Sequence, residues 1–590
     1  MAANKFLTID KDNYSYIFIK NIDVPLKTFE QGLLRANVYM PKDAVPFGNK
    51  KYPVIATYGP YGKDVPYGVF YKKSWEQLNP EMKSAHAAWE TPDPAYWTSN
   101  GYIVVRTDER GAGQSPGLLD TMSRGTSEAF FDVIEWAAEQ EWSSGKVGLL
   151  GISYYAGTQW RVAARKPKGL AAIIPWEGMS DYYRDRVRHG GILSDKFIDF
   201  WWNNGVGPNQ YGKPGRAARN WGEDTLEGDL DEETLLKNRR DQTLDTAVHK
   251  FRDEEYYRTR DFDLEAIEVP LLSVANWGGI LLHLRGNVLG WTRASSKYKF
   301  LHFIVGRHDL PFYYPESSEL QLSFFNCFLK GNDIDGWKSG NQPRVRLTLR
   351  KGEAGVDDPE RERKFPKRDE ADWPLPGTKY TKFYLTPENT LSKTPSSSTR
   401  TIEYEALTGA PIQFHYQSSS SLEITGHIVA HLTVSSFRKS PNTSPPSEID
   451  LFVTLRKINV KGEEVFYTGT MGDPVPVVKG WQRVSLRKVD VNNILHKDYL
   501  PHRNYYSTEV QPVEEGQKYE VDVEIWPTNV VLEPKETLVL EVAGHDTQGV
   551  GKFSHEHPDD RNPKGLDGIN IITVGGEASW LTLPVIHSSN

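Results

Sequence analysis

The hydrophobic pattern of this 590-residue chain changes its period once, and that change limits what the chain can fold into. Up to about residue 350, short apolar runs rich in β-branched residues alternate with segments of helical period. YPVIATY (52–58), YIVVR (102–106), VGLLGIS (147–153), LAAIIPW (170–176), VPLLSVANW (269–277) and KFLHFIVG (299–306) are the apolar runs. Between them, SEAFFDVIEWAAEQ (127–140) sets Phe130, Val133, Ile134 and Ala137 on one helical face, and YAGTQWRVAARK reads as a helix stopped by Pro167. Strands alternating with helices predict a parallel α/β sheet. From about residue 373 the period becomes two. KYTKFYLT, HIVAHLTVSS, IDLFVTLRKI, YEVDVEIW and ETLVLEVAG, separated by Gly, Pro, Asn and Ser turns, predict an all-β sandwich or jelly roll.

The expected organisation is an α/β domain over 1–177 and 268–350, interrupted by an insertion at 178–267 that mixes charged and aromatic residues at helical spacing and reads as a helical cap. A charged linker at 351–372 then leads to the β domain at 373–590. The formal net charge of −8 argues against a nucleic-acid partner, which calls for a basic face. No apolar run approaches the roughly 18–20 residues of a membrane span. The start lacks a basic stretch followed by an apolar one, so the expected location is cytoplasmic. Cys327 is the single cysteine, so no internal disulfide can form, and among Phe324, Phe325 and Phe328 it reads as a small core residue. The expected partner is a small-molecule substrate, with homo-oligomerisation left open.

Chemistry concentrates at GLLGISYYAG. Ser153 follows an apolar strand and opens a helix, in a G-x-S-x-x-G pattern whose small neighbours allow a sharp strand-to-helix turn. Such a turn lifts the hydroxyl above the sheet and leaves the next amide, that of Tyr154, free to donate to an oxyanion. A serine needs a base. His308, in VGRHDLPFYY, follows a strand late in the chain, where this fold class places its histidine. His302 lies within a strand and reads as structural; His283 and His189 are less well placed. No phosphate-binding fingerprint appears. The H-x-H of SHEHPDD (554–560) lacks a third ligand at firm spacing, so neither metal nor cofactor is expected.

Further motifs fall in order along the chain. TYGPYGKD (57–64), RTDERGAGQSPG (106–117), GISYYAG and LQLSFFNCFLKG (320–331), followed by the β-rich tail, together resemble the cocaine esterase, α-amino-acid ester hydrolase and X-prolyl dipeptidyl peptidase group of serine hydrolases, the CocE/NonD type. The resemblance implies an α/β-hydrolase fold with an inserted helical cap and a C-terminal jelly roll. It implies Ser153 as nucleophile on an ester or amide carbonyl, His308 as its base, and Tyr61 hydroxyl with Tyr154 N–H as oxyanion donors. Asp108 and Arg110 would build the signature loop. Tyr155, Trp176 and Trp277 are expected at the substrate; the cap aromatics, including Trp201, suit an apolar specificity pocket or, for most of them, a packed helical core. The X-prolyl peptidase branch is disfavoured because the chain shows no long extra N-terminal domain.

One element departs from that pattern. The acid that orients the histidine belongs in a W-x-D-type loop after the strand ending at Trp277, where this chain has Gly278-Gly279. Glu177, or Asp181, just past LAAIIPW, is the expected stand-in, since the acid's role is geometric. The same gap is compatible with a slower Ser–His dyad, with a non-hydrolytic isomerisation, cyclisation or elimination in the same pocket, or with an inactive binding protein.

Overall fold

A computed structural model describes residues 4–28 and 31–586. The chain is an α/β-hydrolase fold carrying a C-terminal all-β domain. Its first sheet is parallel through the centre, running Ile103–Asp108, Tyr52–Gly59, Ser143–Ile152, Leu170–Trp176, Leu271–Asn276, Lys299–Ile304 and Val345–Thr348 in spatial order. Antiparallel strands finish both edges. On one side these are Gly32–Met40, Ile17–Leu26 and Thr8–Asp10; on the other, Lys367–Glu370, which lies within the stretch expected to be a linker. The central strands are largely apolar and buried because helices cover both faces. Helix Arg124–Glu139 buries Phe130, Val133, Ile134 and Ala137, the face that its periodicity marks.

The residues between Trp176 and Leu271 form π-helical turns at Tyr182–Val187 and Trp202–Val206, short helices such as Asp195–Trp201 and Gln242–Val248, and a small ribbon of Arg188–His189 with Ile192–Leu193. The ribbon seats on the C-terminal domain. Arg188 and Arg483 both bind the buried Asp560, and His189 Nδ1 lies 2.9 Å from His555 Nε2, whose Nδ1 faces Asp546. The polar run SHEHPDD thus spends His555 and Asp560 on this seam.

The C-terminal domain is an antiparallel jelly roll organised on the long strand Leu422–Phe437, which pairs with Tyr519–Leu532, Ile569–Gly575 and Trp580–Ile586. Its small hairpin, Tyr467–Thr468 with Pro474–Val475, reaches back to the α/β domain. The hairpin explains the glycine where an acid was expected. A Cβ on Gly278 would stand 1.9 Å from the Thr468 carbonyl oxygen, so no side chain fits there.

Candidate active site

Tyr61, Ser153, Glu177, His283 and His308 each lie just past the C-terminal end of a parallel strand, the position at which open α/β sheets gather their functional groups. Ser153 has φ 58° and ψ −113°, a conformation that costs a non-glycine residue of order 1–3 kcal/mol and is kept by its surroundings. Its N–H donates to the Trp176 carbonyl, and its carbonyl accepts from Ala156 and Gly157. A Cβ on Gly151 would come within 2.6 Å of Tyr155 Cβ, so the turn closes only around glycine. Glu90 and Glu177 share the left-handed backbone, at φ 63° and 49°. Three strained residues around one hydroxyl mark a site rather than a scaffold.

Ser153 Oγ lies 3.1 Å from His283 Nε2. His308, the expected base, is bonded elsewhere: its Nε2 meets Glu90 Oε1 at 2.7 Å and its Nδ1 meets the Thr470 carbonyl at 2.8 Å. The reason is the hairpin of the β domain. It also accepts the His308 amide at Thr470 O, and so pins the histidine toward Glu90. The two imidazoles remain neighbours, with ring centroids 6.3 Å apart. His283 reaches the serine because the Gly278-Gly279 turn folds back tightly. The Gly279 carbonyl accepts from both His283 and Leu284 and starts the helix Leu284–Arg293.

Electrostatics separates the two histidines. Burial, then the charge of His308, holds His283 well below the ordinary histidine pKa, so it is neutral and accepts protons weakly. Burial opposes the charge on His308 as well, but the hydrogen bond and charge of Glu90 outweigh it and lift His308 to about 9. Burial pushes Glu90 up to about 7, against the pull of His308 and of the nearby Ser153 hydroxyl. Glu177 is pushed up to about 8, again by burial, with the charge of His308 opposing.

Glu177 Oε1 accepts from Asn276 Nδ2 at 3.0 Å, and Asn276 also donates to the Gly306 carbonyl. Glu177 therefore sits beside the cluster, but no hydrogen bond ties it to either histidine among the described residues. Asp181, the other acid considered, turns to Arg184 in the cap. Glu90 Oε2, Glu177 Oε2, His283 Nδ1 and Trp89 Nε1 are buried atoms with no hydrogen-bond partner among the described residues. Buried polar groups are ordinarily satisfied, so this concentration of open valences around Ser153 has the character of a reaction site.

The signature loop sets the position of Tyr61. Asp108 accepts from Lys63 N at 2.6 Å and from Gln114 N at 2.8 Å, which clamps the 106–117 loop to the turn carrying Tyr61. Trp201 Nε1 donates to Tyr61 Oη at 2.8 Å, leaving the phenol proton available to another acceptor. The Tyr154 side chain is committed, donating to Glu109 at 2.8 Å and accepting from Met122 N. Its backbone N–H is the first of a helix, where no intrahelical acceptor exists.

Among the expected substrate contacts, Tyr155 packs against Tyr61, with ring centroids 5.7 Å apart, and lies beneath the site. Trp176 and Trp277 are corrected to core residues. Trp176 packs edge-on against Phe312, and Trp277 stacks on Phe303 at 4.0 Å while donating to the Thr348 carbonyl. The aromatic wall comes instead from Trp89, which packs on Tyr61 (5.2 Å), Phe70 (4.8 Å) and His308 (5.8 Å), and from Trp201. Trp89 and Glu90 sit in the unremarkable stretch AAWETPD, and no local motif marks them.

Residues 32–308 match the model of the X-Pro dipeptidyl-peptidase (S15) family, and residues 336–582 match that of the X-Pro dipeptidyl-peptidase C-terminal non-catalytic domain. A cocaine esterase from Rhodococcus is 26% identical over 516 residues, covering 79% of this chain and 84% of its own. A CocE/NonD family hydrolase from Staphylococcus aureus superposes with a TM-score of 0.81 at 28% identity, with 99% of both chains covered. An α-amino acid ester hydrolase shares the fold, with a TM-score of 0.68 at 14% identity. The chain belongs to the CocE/NonD family of serine hydrolases, enzymes that act on ester and amide bonds.

Proposed function

We propose that the chain hydrolyses an ester or amide of a small molecule through an acyl-enzyme on Ser153, with His283 rather than His308 as the immediate base. The observation that carries this reading is the 3.1 Å contact of Ser153 Oγ with His283 Nε2 at a strained strand-to-helix turn. Ser153 Oγ attacks the carbonyl, and its proton passes to His283 Nε2. The developing oxyanion is met by Tyr154 N–H and Tyr61 Oη–H. His283 then returns the proton to the leaving alkoxide or amine, and water repeats the sequence on the acyl-enzyme. The His308–Glu90 pair acts beside this exchange. The Glu90 carboxylate holds the proton on His308, whose charge adds to burial in keeping His283 weakly basic. Phe70, Trp89 and Trp201 favour an aromatic or bulky apolar acyl group.

A second reading follows from the bare Nδ1 of His283, which has no acid behind it. In it His308, held protonated by Glu90, serves as a general acid in an isomerisation, cyclisation or elimination, and Ser153 only donates a hydrogen bond.

Intact-mass analysis after treatment with a fluorophosphonate separates the two. Hydrolysis predicts one adduct, absent in Ser153→Ala and slowed at least 100-fold in His283→Gln. A well-folded protein that forms no adduct would overturn the acyl-enzyme and favour the second reading.

A further inference from the structure

A cavity of about 540 Å³ opens where helix Leu284–Arg293 faces the 494–505 segment of the jelly roll, and none of its lining residues belongs to the Ser153 cluster. Two histidines line it, His427 and His502, and His427 is the more deeply set. The strand Leu422–Phe437 breaks register on both sides at the same place. Toward Tyr519–Leu532 the pairing passes from Gly426 to Ile428; toward Trp580–Ile586 it passes from Ile424 to Val429. His427 lies in the irregular stretch of both ladders: it faces Trp526 and Pro527 together on one side, and on the other it is one of four residues set against Leu583 and Pro584. The His427 ring is 7% exposed and lines the cavity. Trp373 Nε1 donates to its Nε2 at 3.1 Å, and burial keeps the ring neutral, so the one ring proton sits on Nδ1. That Nδ1 has no partner among the described residues. The wall of the cavity thus carries a buried, unspent donor.

The remaining walls give the ligand its chemistry. Tyr499 stacks on Tyr380 at 4.4 Å and lies nearly parallel to His427 at 5.9 Å, forming a flat aromatic side. Leu289 and Leu500 supply apolar surface. Among the guanidiniums, Arg293 has capacity to spare: its Nε is unpartnered among the described residues, and its Nη2 has one long contact of 3.5 Å with the half-exposed Glu265. The other guanidiniums at the cavity are spent: Arg184 and Arg285 on Asp181, Asp185 and Glu524, and Arg503 on the Arg487 and Asp522 carbonyls. We propose that this cavity binds a planar aromatic carboxylate, its ring against Tyr499, a hydroxyl or carbonyl accepting from His427 Nδ1–H, and its carboxylate on Arg293.

The probe is 6-hydroxy-2-naphthoate, followed by its own fluorescence and by equilibrium dialysis against the full chain. The expected result is saturable binding of one molecule per chain with a Kd below about 1 mM, in keeping with a ligand of this size. Ser153→Ala should leave it unchanged. His427→Phe, which keeps the ring and removes the donor, and Leu289→Trp, which fills the cavity, should each weaken it at least tenfold. Should either variant fail to fold, Thr292→Trp at the exposed rim serves in its place. Absence of saturable binding, or binding that survives these substitutions, would overturn the proposal.

Discussion

Two histidines face one serine, and they are built in opposite ways. His283 touches the Ser153 hydroxyl, is neutral, and carries nothing behind its Nδ1 among the described residues. His308 is hydrogen-bonded at both nitrogens, to a carboxylate and to a carbonyl from the second domain, and holds its proton tightly. A single imidazole in a triad combines contact with the nucleophile and an acid partner. Here these two properties are divided between two rings. The division shows that reach and basicity are separable features of a site, and that strand order predicts neither by itself.

The largest expected effect tests that division directly. Ser153→Ala and His283→Gln should each lower kcat/KM on an activated ester by about 10³-fold or more, since both belong to the proton exchange. His308→Gln should cost about 10–100-fold, because it removes a charge and not the base. Steady-state kinetics on the three variants decides between them, and a reversed order of the two histidine variants would return His308 to the role of base. The same contrast sets the pH profile. With His283 held below the ordinary histidine range, kcat/KM should stay on its plateau to below about pH 6, whereas control by His308 would place the acid limb near pH 9.

The next effect concerns the seam that separates the two rings. Gly278→Ala places a Cβ against the Thr468 carbonyl, and overpacking of this kind costs about 1–3 kcal/mol. Thermal melts should show the loss, and activity should fall with it, because the displaced hairpin carries Thr470 away from His308. Gly278→Asp should fail to supply a triad acid for the same steric reason. A variant with unchanged Tm would remove the hairpin from this account. A smaller effect lies in the wall. Trp89→Ala should raise KM for an aromatic acyl ester about tenfold while changing kcat little, and should leave an acetyl ester nearly unaffected.

How much of this was legible in the sequence follows from the range of the forces involved. The sheet, the jelly roll and the elbow are written in short-range terms: apolar period, turn chemistry, small residues around Ser153. The loop clamped by Asp108 came through a local motif of the same kind. The partner of Ser153 did not, because it depends on where a hairpin from residues 467–475 presses on a loop two hundred residues earlier. Gly278-Gly279 was visible as a missing acid, but the sequence does not show that a backbone carbonyl occupies the space. Glu90 is invisible for a related reason. Its role rests on a left-handed backbone and on full burial, and neither has a local signature in AAWETPD. Trp176 and Trp277 misled because a tryptophan at a strand end can turn inward to the core as readily as outward to a cleft.

The smallest effect separates Glu177 from both rings. Its carboxyl is raised from an ordinary 4.5 to about 8, chiefly by burial, so the folded chain holds this proton where the unfolded chain has released it. Between about pH 4.5 and 8 the folded state therefore binds more protons, and stability must fall as pH rises through that window. Glu177→Gln keeps an acceptor for Asn276 and removes the titration. Its Tm should match the parent near pH 5 and exceed it by a few degrees near pH 8, a gain that grows with pH. His308 works in the same direction, stabilising below about pH 6.5 and losing its contribution through about pH 9, so the comparison is cleanest as the difference between the single variant and the parent. A Tm difference independent of pH would mean that Glu177 is ionised throughout. It would then be a buried carboxylate facing the charge of His308, and its proton would play no part in the contrast between the two rings.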